Sequence, residues 1–348
     1  MAALTRSTRA GARPPVVGEG IAIASLWREL WDAHESWGGY PGTRDPAVYA
    51  QLARRLDDEA RARAGRVILG GHLHLVASLG YEPCGQVEGW LEQTGAGVGE
   101  LRTCEVRSLI VAATARRLGA GRLLLDALQE AVRSHFRGAP CVMAAEVLEP
   151  NPAHDFYARV GFAPVAWSAH VGAAEVAAMP PQMRGFTARP AIPDDALALA
   201  HLEAILATRR RAAGDLRFAP APRIDVVLLG TVAARVAEEA SSPSADHATV
   251  VVTDRAGVVR GAASVHVQTL EPPFLPVRRG LVGRFAFDPA GSVPALVGPL
   301  LALGARIAVE RGAARVEFLD LTGPGTDLHD AVLGAGARPW SRVVTRPA

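Results

Sequence analysis

Arg116-Arg117-Leu118-Gly119-Ala120-Gly121 can hold a phosphate through its backbone, and this is the first chemistry the chain offers. Upstream lies an apolar, β-branched run from Val106 to Val111, and downstream, from Arg122 to Val132, apolar residues fall at helical spacing. Arg-x-x-Gly-x-Gly is therefore predicted on a strand-to-helix turn. At such a turn the first N–H groups of the helix have no internal partner and carry the positive end of its dipole. Glycines let an anion approach that nest of N–H groups closely. Arg116, Arg117 and Arg122 add charge around it. A Gly-x-Gly alone is weak, because turns use glycine everywhere.

A second segment strengthens the first. Glu149-Pro150-Asn151 leads through Phe156-Tyr157 to Gly161-Phe162 and follows the apolar run Cys141 to Leu148. It reads strand, loop, short helix, Gly-Phe turn. Together the two segments resemble the GNAT superfamily of acyl-CoA-dependent N-acyltransferases. The resemblance rests on V-x-x-x-x-R-x-x-G-x-G from Val111 to Gly121 and N-x-x-x-x-F-Y-x-x-x-G-F from Asn151 to Phe162. The chain has no lysine and a single asparagine, Asn151, and that asparagine falls on the motif.

The resemblance implies acetyl-CoA, or another acyl-CoA, as co-substrate and no metal. Leu109, Val111, the cradle residues Arg116, Arg117, Leu118, Gly119, Ala120, Gly121 and Arg122, and then Asn151 and Phe156, are expected to line the cofactor. It implies that Tyr157 donates a proton to the departing thiolate and that the Val111 N–H faces the thioester carbonyl as an oxyanion donor. Glu105 stands where histone-acetylating members of the family carry their catalytic base; the other reading is that it pairs with Arg107 and shapes the pocket. Glu88 and Glu146 are weaker candidates, and His72 and His74 share one strand face. Asn151 binds pantetheine or forms an Asx-turn.

Acceptor specificity is expected in the first two helices and their loop. Trp31, His34, Glu35, Trp37 and Tyr40 are concentrated there, and Arg107 points towards an acceptor bearing a carboxylate. Trp27 and Trp31, four apart, also fit an ordinary core stripe. Asp32, Glu35 and Asp45 offer charge to a cationic amine. The activity expected is acetyl transfer to a small-molecule amine by direct attack. A protein N-terminus or lysine as acceptor, and a non-catalytic acyl-CoA sensor, are the rivals.

The elements needed to position these groups can be read along the chain. An amphipathic helix is predicted over 21–38, a second over 46–64 behind an Asp45 cap, and a hairpin over 72–91. The first strand is poorly marked, with only Val16-Val17 available. The fold class expected is α/β, two GNAT-like domains each with a mixed, mostly antiparallel sheet flanked by helices and splayed at its fourth and fifth strands. The expected division is a disordered tail at 1–15, a catalytic domain at 16–170, a linker at 171–186 and a degenerate repeat at 187–346. Laying Phe287 over Val111 puts Ser292, Ala295 and Val297 at the positions of Arg116, Gly119 and Gly121, so the second copy lacks the cradle. The other reading of this repeat is chance similarity in an alanine-rich sequence.

Composition bounds the rest. The chain has 348 residues, 49% of them hydrophobic, and a formal charge of +2, too balanced to suggest nucleic acid. Cys84, Cys104 and Cys141 lack metal-ligand spacing and read as reduced, buried thiols of a cytoplasmic protein. No apolar run suggests a membrane span. A monomer or homodimer is expected.

Overall fold

The computed structural model describes residues 11–80, 82–94, 101–179, 185–218, 226–242 and 246–348. The expected tail up to residue 10, most of the glycine-rich loop at 93–99 and residues 180–184 of the linker lie outside them. The first half runs β1 (Gly11–Arg13), α1 (Gly20–Ser36), α2 (Pro46–Arg63), β2 (Ile68–Leu69), β3 (His72–Leu79), β4 (Glu82–Thr94) and β5 (Leu101–Val111). It continues with α3 (Ala120–His135), β6 (Val142–Leu148), α4 (His154–Arg159) and β7 (Ala163–Gly172). The second half follows the short α5 (Ala173–Val176) with β8 (Phe186–Pro190), α6 (Ala196–Ala212), α7 (Val226–Ser241), β9 (His247–Asp254) and β10 (Val259–Thr269). Then come β11 (Arg278–Phe287), α8 (Val293–Glu310), β12 (Arg315–Leu321), α9 (Asp327–Gly334) and β13 (Arg338–Pro347).

Strand alternation sorts the core into two layers. Leu73, Leu75, Val87, Cys104 and Val106 pack under Leu124, Leu125 and Leu128 of α3. On the other face Val76 meets Ile23, Trp31, Leu52 and Leu56 of α1 and α2. The Asp45 carboxylate accepts from the Ala47 N–H and caps α2, as the sequence predicts. α8 is long and apolar enough by composition to cross a membrane, yet Leu296, Leu300, Leu301 and Ala305 are buried in the second half's core.

All strands but β2 follow one another in a single sheet, in the order β1-β3-β4-β5-β6-β13-β7-β12-β11-β10-β9-β8. Among the described residues only β5–β6 and β11–β12 are parallel. The last strand of each half is exchanged: β13 inserts between β6 and β7, and β7 lies between β13 and β12. The sequence boundary at 170 is therefore not a boundary in space, because hydrogen bonds of the β ladder tie each half to the other's final strand.

The halves repeat in detail. Arg13 binds Glu19, which also accepts from the Val16 N–H; Arg189 binds Asp195, which also accepts from the Ile192 N–H, at identical spacing. Ser108 and Arg284 both have positive φ, 54° and 53°, at matching bulges in β5 and β11. Two expectations need correction. Gly11–Arg13 is a strand paired with β3 rather than tail, held by the Arg13–Glu19 pair, and Val16-Val17 lie outside it. Residues 171–176 are the end of β7 and a helical turn, not linker.

Candidate active site

The bulge sets the site. Ser108 and Leu109 together oppose the single residue Val87, which bends β5, and pairing of β5 with β6 stops at Val106–Ala145. Beyond that point the strands part. The Ala112 N–H donates to the Cys84 carbonyl at 2.9 Å, so alternation turns the Val111 N–H to the opposite side, into the gap.

At the end of the gap a 3₁₀ turn, Ala113–Ala115, leads to α3, whose cap is Gly119 at φ +90°. That conformation suits glycine and leaves no side chain over the exposed helix N–H groups. A Cβ on Gly121 would lie 3.3 Å from the Phe156 ring and 3.6 Å from Val111, so the glycine keeps a narrow slot between β5 and α4. Leu118 is exposed, and Arg117 takes a left-handed φ of 66°. Arg122 reaches Asp126 only at 3.6 Å. The donors, the open glycines and the cationic rim fit a pyrophosphate and its pantetheine arm.

Glu29 of α1 enters this geometry without a sequence signal. The Ala113 N–H and the Arg116 guanidinium both donate to its Oε1, at 3.1 and 2.7 Å, while Arg116 Nε donates to the Val111 carbonyl. Tyr157 is buried on α4, edge-on to Phe156 and Phe162 at 5.6 and 5.2 Å. Burial pushes its phenol above the ordinary value, which keeps it protonated. The Asn151 side-chain Oδ1 accepts from the Ala153 N–H at 2.9 Å, the Asx-turn, and so shapes the exit from β6.

On the α1–α2 face, Glu105 pairs with Arg107 at 2.6 Å, and Arg107 lies 5.9 Å from the Trp90 ring. Trp90 stacks on His72 at 4.4 Å. The His72 imidazole, raised although burial lowers it, is held by Glu59 and Glu88; the Glu59 carboxyl, which burial alone would raise, is pulled to about 2 by His72 and Arg63. Glu146 is a further acid on this face. It is exposed on β6 just past the last residue paired with β5, and it accepts from Ser341 of β13. Its sequence signal was a lone acid inside the apolar run Val142–Leu148. Cys104 faces α3, where burial raises its thiol, away from this groove.

The residues expected to receive the acceptor are not brought together. Trp31 is core, packed with Trp27, Tyr49 and Phe274 at 5.0, 5.8 and 5.9 Å, because its position on α1 faces α2. Glu35 and Asp32 are both engaged by Arg44 on the surface. Tyr40 donates to the buried Glu317 of β12 and lies under Arg315, so it ties the halves together rather than walling a substrate. Trp37 packs into the same cluster with Leu148 and Trp340, and His34 lies against Trp37 at 5.6 Å. Only Arg107 lies in the groove.

The second half lacks the cradle. Its helix α8 begins at Val293, close behind β11, with proline at the start, and Leu296 fills the space beside Gly291. The Asp288 carboxylate accepts from the Ala290 N–H there and binds Arg260. A carboxylate, a missing N–H and a filled turn oppose an anion at that helix end.

Residues 24–162 match the model of the acetyltransferase (GNAT) family. Solved structures align over nearly the whole chain. A GCN5-related N-acetyltransferase from Sphaerobacter thermophilus is 16% identical, with a TM-score of 0.56 over 99% of this chain and 97% of its own. A tandem GNAT protein from the clavulanic acid biosynthesis pathway is 16% identical, with a TM-score of 0.50 over 98% of each chain. A GCN5-related glucosamine N-acetyltransferase region of a fungal multi-domain GH3 β-N-acetylglucosaminidase is 13% identical, with a TM-score of 0.52 over 98% of this chain and 38% of that one. No curated protein matches the sequence. At such identities the likeness carries the fold.

Proposed function

We propose, from the premise that this chain belongs to the GNAT superfamily of acyl-CoA-dependent N-acyltransferases, that its first half transfers an acetyl group to a small-molecule amine. One observation carries the reading: the glycine slot and arginine rim at the α3 N-terminus open onto the gap between β5 and β6, and the equivalent turn of the second half is closed. Acyl-CoA supplies a thioester carbonyl. The Val111 N–H is positioned for that oxygen, and Tyr157 holds a proton for the leaving sulfur. Glu105, paired with Arg107, takes a proton from the incoming ammonium. A second reading of the base is favoured by position: Glu146 stands at the parting of the strands and has no arginine partner among the described residues.

A small acceptor is favoured over a protein by the loop after α1. Thr43 N–H donates to the Pro273 carbonyl at 2.7 Å, Leu275 N–H to the Pro41 carbonyl at 3.0 Å, and Arg315 to the Gly38 carbonyl at 3.3 Å. The second half thereby fixes the loop between α1 and α2, and a loop held in this way favours a small acceptor over a folded partner that would need it to move. Direct attack is favoured because Cys104 is buried on the opposite face. The test is thiol release from acetyl-, propionyl- and myristoyl-CoA across a panel of amines and lysine peptides, beside titration of acetyl-CoA into wild type and Gly121→Glu. The reading expects one site per chain, lost in the variant, and turnover with a free amine. Two sites, turnover with peptides only, or a preference for the long chain would overturn it.

A further inference from the structure

The second half keeps the groove that the first half uses for its acceptor, but with different charges. A cavity of about 240 Å³ opens between α6, α7 and the strands β9 to β11. His247 and His266 lie 4.1 Å apart with tilted rings across β9 and β10, at the register where His72 and Trp90 stack in the first half. The ion pair Glu59–Arg63 on α2 reappears on α7 as Arg235–Glu239, with its signs reversed. Ser264 replaces Glu88, Leu281 replaces Glu105, and Arg284 replaces Ser108 at the bulge. Three acids of the first half's groove are thus gone or moved, and a new cation stands where β11 bends.

We propose that this cavity binds a small zwitterion, with Arg284 taking its carboxylate and Glu239 its ammonium group. Arg284 is exposed at the cavity wall and makes no ion pair among the described residues. Among the described residues Glu239 is paired only with Arg235 Nε, at 3.9 Å, a distance that leaves its carboxylate able to accept, while Arg235 Nη2 donates to Glu203 at 2.7 Å. Arg235 Nε is itself buried without a hydrogen bond. Glu239 takes the place of Arg63, which lies against His72, and so belongs to the His247 end of the cavity; Arg284 belongs to the other. From Ala262 to His266 the lining of β10 spans roughly 13 Å. Phosphates are disfavoured by Glu203 and Glu239, and a plain acid or plain amine engages one end only.

The probe is a ladder of ω-amino acids from glycine to ε-aminohexanoate, titrated calorimetrically into the full chain, with acetate and butylamine as single-charge controls. One rung is expected to bind once per chain at least about tenfold more tightly than either control, as two charged hydrogen-bonded ends allow. Arg284→Gln and Glu239→Gln should each erase that preference while acetyl-CoA binding and the melting temperature persist. A ladder no tighter than the controls, or a preference that survives Arg284→Gln, overturns the proposal. Neither outcome depends on turnover in the first half.

Discussion

Tyr157 and the two groove carboxylates can be separated by what each substitution leaves behind. Tyr157→Phe keeps the ring against Phe156 and Phe162 and removes only the hydroxyl. Turnover is expected to fall by roughly 10- to 10³-fold with little change in acetyl-CoA affinity, as for loss of a proton donor. Turnover within twofold of wild type would remove the phenol from the reaction. Glu105→Gln breaks the pair with Arg107 at 2.6 Å, whereas Glu146→Gln leaves the Ser341 contact able to re-form. If Glu105 is the base, its variant loses kcat/KM near neutral pH and recovers activity as pH rises and more of the amine is free. If Glu146 is the base, the same change appears in Glu146→Gln and Glu105→Gln alters KM alone.

Among the elements, the N-terminus of α3 and helix α1 share one contact. Glu29 occupies the Ala113 N–H and the Arg116 guanidinium, donors just ahead of the α3 cap at which we propose acyl-CoA binds. Such half-exposed pairs contribute about 0.2–1 kcal/mol, so freeing them by Glu29→Gln should tighten acetyl-CoA binding by up to about fivefold. Weaker binding would mean that Glu29 positions Arg116 instead of competing for it. Gly121→Glu should abolish binding outright, since its side chain must enter between Phe156 and Val111. The cradle was legible in sequence because glycines and arginines at a strand-to-helix turn are a local signal. The bulge-marked repeat was legible too, since Phe287 and Val111 do close equivalent strands. The acceptor wall was not. Trp31, Trp37 and Tyr40 are aromatic in any reading, and whether they face substrate, α2 or the other half depends on contacts with Phe274, Glu317 and Trp340, far along the chain. The strand exchange was equally silent, because β7 and β13 carry the same alternation whichever half they join.

At the scale of the whole molecule the exchanged strands and the clamped loop make a seam, and half-buried histidines beside it predict that the seam is sensitive to acid. Burial holds His34 near 4; burial, then Arg315 and Arg338, hold His170 near the same value. His34 packs on Trp37 and His170 lies edge-on to Trp340, at 5.6 and 5.1 Å, on either side of one apolar cluster. In the unfolded chain both titrate near 6.5. A folded-state value below the unfolded one means that the unfolded chain takes up protons first, so stability is complete above pH 6.5 and erodes as pH falls towards 4. His74, lowered by burial, adds in the same direction. Glu59, held near 2, withdraws its stabilisation only below about 4.5, and the Glu317 carboxyl, raised by burial, takes up its proton first in the folded chain and so opposes the histidines, whose loss sets the direction of the change between 6.5 and 4.5. One pH unit within that window corresponds to at most about 1.4 kcal/mol per group, and partial solvation of His34 and His170 reduces this. Thermal melts at pH 7 and pH 5 should therefore show a fall of several degrees in wild type and a clearly smaller one in the His34→Gln, His170→Gln double variant. An equal fall in both would place the acid sensitivity elsewhere than the seam.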